Sequence, residues 1–161
     1  MSEALAALLA SLATWPGARW LQGSDTAYLC MNAAHIAGLG LLLGAIVPLD
    51  LRLAGLWRQL PLPVLFPLLS RTAATGLALA LLTGLWLFSV RPADYAANPA
   101  FQYKLGLLVL ALGNIAWQHS SPALVRCLRT EVLPLGLRLR AVASTLLWLA
   151  VLLAGRWIGF V

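Results

Sequence analysis

Four long apolar runs dominate the sequence and leave few folds open to it: Tyr28 to Val47, Thr72 to Val90, Phe101 to Gln118 and Ala141 to Phe160. A helix crosses a hydrocarbon core of roughly 30 Å in about 20 residues, and each run is of that order. The rest of the chain cannot clothe a water-soluble domain. Charged residues make up 10% of the 161 and hydrophobic residues 61%, whereas a soluble surface takes about a quarter charged residues. The expectation is an all-α integral membrane protein, a four-helix bundle forming one domain over 1–161. Pro48, Pro92, Pro99 and Pro122 read as punctuation just outside the runs, where a ring that cannot continue a helix does no harm. A membrane β-barrel would need short segments alternating polar and apolar residues, and these runs are continuous in Leu, Ala and Gly.

The formal net charge of +6 does not indicate nucleic acid, because the basic residues are dispersed among the connections. They set topology instead. Arg52, Arg58 and Arg71 follow the first run, and Arg126, Arg129, Arg138 and Arg140 follow the third, seven of the eleven basic residues. An excess of Lys and Arg marks the cytoplasmic loops. Both termini are therefore expected on the outer side of a bacterial inner membrane. Trp15, Trp20, Trp86 and Trp157 fall near the outer boundary and Trp57 near the inner one, as interfacial anchors do.

Residues 1–20 lack the basic start of a signal peptide, and Leu5, Leu8, Leu9 and Leu12 recur on one helical face behind a candidate cap at Ser2. They are read as a retained helix lying on the outer interface. The segment Leu60 to Ser70 is apolar but carries Pro61, Pro63 and Pro67, and is read as too short and too kinked to span. Pro122 to Arg138 is a second interfacial candidate. Cys30 and Cys127 fall on opposite sides of the membrane in this topology, which argues against a disulfide between them.

Small residues indicate how the helices meet. Thr72, Gly76, Ala80 and Gly84 recur every fourth residue in the second run, and Gly40 and Gly44 do so in the first; such rows let backbones approach closely in lipid. They also leave open a groove for a flat ligand.

Against this background His35 stands out. Counted from Tyr28 it lies roughly 10 Å below the outer boundary, inside the apolar slab. An ionisable side chain at that depth is a candidate functional group. It serves as a neutral imidazole bonded to a neighbouring helix, as a ligand to haem iron or copper, or in proton handling; ligation and proton handling both use the imidazole lone pair. Gly38, one turn on, is expected to leave room beside the ring for a macrocycle. Met31, one turn back, would join His35 on Cu(I). Lys104, one turn into the third run, serves as a snorkelling anchor or as the counter-charge to a propionate, a quinone oxygen or a carboxylate. Asn114 and Gln118 share its face and read as helix-to-helix hydrogen bonds. His119, roughly 27 Å down its own helix, is too deep to share one iron with His35. Asp50 and Arg52 are expected to cap or pair at the inner end of the first helix, and Asn98 to cap the third ahead of Pro99.

The stretches "HIAGLGLLLGAIVPLDLRLAGL" and "NPAFQYKLGLLVLALGNIAWQH" resemble an uncharacterised bacterial family of four-helix inner-membrane proteins. In that family a first-helix histidine leads into D-L-R-L, and N-P-x-F-x-x-K opens the third helix. More distantly, a first-helix histidine with a third-helix lysine is similar to the four-helix membrane protoporphyrinogen oxidases, which bind haem b, and to copper-resistance membrane proteins. The resemblance implies haem b on His35 with Lys104 beside it, and electron transfer involving a quinone or a periplasmic redox partner. Copper handling, or a structural subunit in a homo-oligomer or larger membrane complex, is the alternative. No Ser-His-Asp set, H-E-x-x-H or phosphate loop supports a hydrolase or nucleotide-binding reading, and whether the chain is an enzyme stays open.

Overall fold

The computed structural model describes residues 3–161, and the Ser2 cap lies outside them. Eight helices follow in order: α1 Glu3–Thr14, α2 Pro16–Gln22, α3 Asp25–Ala54, α4 Leu62–Phe88, α5 Pro92–Ala97, α6 Pro99–His119, α7 Pro122–Thr130 and α8 Leu135–Trp157, with a final 3₁₀ turn, Ile158–Phe160. Among the described residues there is no strand. α3, α4, α6 and α8 are long and apolar enough to cross a membrane. The chain is an all-α, multi-pass membrane protein.

α3 packs chiefly on α4 and then on α8, while α6 rests on α8. The tight α3–α4 contact follows from small residues. A Cβ built on Gly38 would stand 2.8 Å from the Ala80 nitrogen and 3.0 Å from the Gly76 carbonyl oxygen, and one built on Gly76 would collide with the Leu42 nitrogen. The row expected in the second helix is therefore used for close approach. In the first helix the contact falls on Gly38, while Gly40 and Gly44 meet nothing within 4 Å. Below this contact Leu49, Leu53, Leu62, Phe66, Leu124 and Leu137 close the basic end of the bundle.

Pro48 is not a boundary, and Pro67 does not break its segment. Pro48 lies inside α3 and Pro67 inside α4, so the segment Leu60 to Ser70 is largely the first turns of a spanning helix. A proline in a helix forfeits one backbone bond and crowds the carbonyl four residues back. For Pro48 that residue is Gly44, which has no side chain to add to the crowding. Burial of Leu49 and Leu53 beyond Pro48, and of Leu62 and Phe66 around Pro63, holds the extra turns. The N-terminal segment is two helices broken at Trp15–Pro16, not one. Trp15 donates to Ser89 Oγ at 3.0 Å and Trp86 donates to the Gly17 carbonyl at 2.9 Å, which ties α2 to the end of α4. At the other end α7 is a short amphipathic helix with Leu124 and Cys127 buried. Cys127 is 1% exposed, and burial pushes its thiol up, with nearby Arg52 opposing the shift. Cys30 and Cys127 are both free.

The expected end of α6 is present: Asn98 Oδ1 accepts the Phe101 N–H at 3.2 Å, with Pro99 at the first helical position. Asn98 also donates to the Val161 carbonyl at 3.0 Å, so the C-terminus and the α5–α6 junction share the end that carries α1 and α2. Asp50 and Arg52 do not pair. Arg52 donates to the Leu60 carbonyl at 2.9 Å and the Arg58 carbonyl at 3.3 Å. Asp50, at 1% exposure, faces Ser144 of α8. Two residues apart on a helix, their side chains point about 200° apart, which excludes a direct pair.

Candidate functional site

Because α6 is carried by α8, a cleft opens between α3, α6 and α8 near the end that bears the termini. Its volume is about 290 Å³, and its polar lining is Asn32 and His35 from α3, Lys104 from α6, and Arg156 from α8. Ile36, Leu39, Leu43 and Leu152 supply an apolar wall, and Trp148 lines it with its indole N–H in no hydrogen bond. The sequence-derived pair His35 and Lys104 thus reaches one cavity from two helices.

The protonation pattern of His35 follows from its neighbour. Thr83 Oγ1 lies 2.6 Å from the Leu79 carbonyl oxygen, to which its single hydroxyl proton is donated. The same oxygen lies 3.0 Å from His35 Nδ1, and with its own proton committed it acts there as an acceptor. In that arrangement Nδ1 carries the hydrogen and Nε2 keeps a lone pair. Gly84 completes the seat: a Cβ there would stand 3.0 Å from His35 Cε1, so a side chain at 84 would displace the ring.

Lys104 lies along α8, its Nζ 3.6 Å from the point a Gly155 Cβ would occupy. Among the described residues no acceptor hydrogen-bonds its ammonium, and no carboxylate lines the cleft. Arg156 sits 4.7 Å over the Phe160 ring. The cleft therefore combines one nitrogen lone pair with two cations.

Two expected members are placed elsewhere. Gly38 is buried in the α3–α4 contact and offers no room for a ligand; the absent side chain serves backbone approach to Gly76 and Ala80. Met31 does not line the cleft, and no group of three His, Cys, Asp or Glu suited to a metal occurs among the described residues. His119 sits at the opposite end, exposed, its ring 5.6 Å from Phe66 and Nδ1 3.0 Å from the Ile115 carbonyl. Asn114 bridges helices as expected, donating to the Arg140 carbonyl at 3.1 Å, whereas the buried Gln118 oxygen has no partner.

Sequence reasoning missed Thr83, Gly84 and Arg156. Gly84 belongs to the small-residue row, yet which of its members faces His35 depends on the α3–α4 register. In the sequence Arg156 is one of eleven basic residues, with nothing beside it to mark a site.

The chain belongs to DUF6644, a family of unknown function. The family model matches residues 23–161. The match begins just before α3 and takes in all four spanning helices with His35, Thr83, Lys104 and Arg156, leaving out α1 and α2. No curated protein and no solved structure matches the chain. The distant likeness to protoporphyrinogen oxidases and copper-resistance proteins gains no support from these comparisons.

Proposed function

We propose that this DUF6644 member binds haem b through His35 and serves electron transfer in the bacterial inner membrane. The observation that carries the reading is the 3.0 Å contact of His35 Nδ1 with Thr83 Oγ1: with Thr83 as the acceptor, Nε2 is left as an iron ligand on a ring that lines the cleft. A hydrogen-bonded outer nitrogen is the usual support of a ligating histidine. Lys104 and Arg156 suit the two propionates of the same group, and no protein carboxylate competes for them in the cleft. A volume of about 290 Å³ is at the small end for ligand cavities, so the cleft would take part of the group and not enclose it. When bound, haem supplies one-electron chemistry with a potential set by its ligand and surroundings. Protein purified from cells supplied with haem should show a b-type reduced-minus-oxidised spectrum; a colourless preparation contradicts the reading. The copper reading is not carried further, because Met31 stands apart from the cleft.

The supporting groups should have graded effects. Thr83→Val keeps the side-chain shape and removes the acceptor, and should weaken haem retention by about 10- to 100-fold. Lys104→Met should leave the ligand in place but shift the midpoint potential, because it removes a counter-charge. Potentiometric titration of both variants checks this, and identical potentials in wild type and Lys104→Met would remove Lys104 from the site.

Orientation belongs to the same proposal. The connections with seven of the eleven basic residues lie at the end opposite the termini, and we place them in the cytoplasm. Reporter fusions at both termini should signal from the outer side. A cytoplasmic signal from either inverts the topology.

A further inference from the structure

We propose that the basic end of the bundle contains a second site, which binds a phosphate group. Arg52 of α3, Arg58 of the following loop and Arg138 in the first turn of α8 converge on a cavity of about 260 Å³, with Glu131 and the Val132–Leu133 turn as its remaining wall. Loop basicity alone accounts for arginines at this end of the molecule. It does not account for their convergence or for the burial of Arg52.

Arg52 is 2% exposed, and the Arg138 Nε is buried without a hydrogen-bond partner. Two of the three guanidinium groups approach the same point. Nη2 of Arg58 lies 3.4 Å and Cζ of Arg138 3.9 Å from the single point where a Cβ on Gly55 would stand. Gly55 holds a left-handed φ of +112° at the end of α3, a conformation that favours glycine, and it brings Arg58 back over the helix end, where Arg58 Nε donates to the Gly55 carbonyl at 3.1 Å.

Like charges gathered this closely repel unless an anion lies between them. The one carboxylate in the wall does not fill that role. Glu131 Oε1 accepts the Leu62 N–H at 3.1 Å, and no ion pair joins it to any of the three arginines among the described residues. Part of the guanidinium donor set is already spent on the Leu60, Arg58 and Gly55 carbonyls; the remainder, Arg138 included, is unspent. Planar guanidinium forks match phosphate oxygens with paired hydrogen bonds. The location, at the rim of the spanning helices, admits a phospholipid headgroup from the adjacent leaflet or a soluble phosphorylated molecule. The bound chemistry is the same.

The test uses the purified full chain. Native mass spectrometry with phosphatidylglycerol and phosphatidylcholine reads the lipid source, and thermal unfolding in lipid-free detergent with added inorganic phosphate reads the soluble source. Arg58→Gln and Arg138→Gln should each weaken binding by about tenfold, the value of one charge-assisted hydrogen bond. Arg71→Gln, an exposed arginine of α4 outside the cavity, should leave it unchanged. Selective retention of phosphatidylglycerol assigns the site to a lipid, and stabilisation by phosphate alone assigns it to a solute. Arg58 is exposed, so its variant reports even if Arg138→Gln does not fold. Absence of both responses in wild type, or an equal loss in Arg71→Gln, overturns the site.

Discussion

His35→Ala is expected to lose bound haem, whereas His119→Ala keeps the wild-type amount. The two imidazoles differ in place and in surroundings. His35 is half-buried on α3, its Nδ1 in contact with Thr83 and its ring in the wall of a cleft with Lys104 and Arg156. His119 ends α6 at the opposite side of the bundle and bonds its own helix at Ile115. Haem content per protein, measured on both variants after confirming equal helicity, separates them. Equal retention in the two would remove His35 from the site.

Gly38→Leu should destabilise the fold by about 3 kcal/mol or more, beyond the usual range for overpacking, because the added atoms meet backbone that cannot rotate away. The nearest atoms to a Cβ at Gly38 are the Ala80 nitrogen and the Gly76 carbonyl oxygen. Gly44→Leu is the matched control on the same helix, with nothing within 4 Å of its Cβ position, and should cost less than about 1 kcal/mol. Denaturation midpoints in one detergent check the contrast. The loss of haem in Gly38→Leu should then track unfolding, since Gly38 does not face the cleft. A folded Gly38→Leu protein of wild-type stability would show that α3 and α4 are further apart than described.

The spanning helices were legible because hydropathy acts over some 20 residues and averages out local exceptions. Their ends were not. Pro48 and Pro67 carry a local penalty that burial of Leu49, Leu53 and Phe66 outweighs, and tertiary burial is invisible to a local rule. At the candidate site His35 and Lys104 were found because ionisable groups inside apolar runs are conspicuous. Thr83 was not, since a threonine in a membrane helix ordinarily bonds its own backbone; its second role appears only when α3 and α4 are set in register. The misassignment of Gly38 has the same origin. Sequence places it on the His35 side of the helix by one turn, but the face turned toward α4 and the face turned toward the cleft meet within that turn.

The central claim is that the Nε2 lone pair of His35 is the iron ligand, and imidazole rescue tests it most directly. Titrated with haemin in detergent, wild-type protein should bind one equivalent, His35→Gly should not, and added imidazole should restore binding and the ligated spectrum to His35→Gly. Equal haemin binding by wild type and His35→Gly without imidazole would contradict the account.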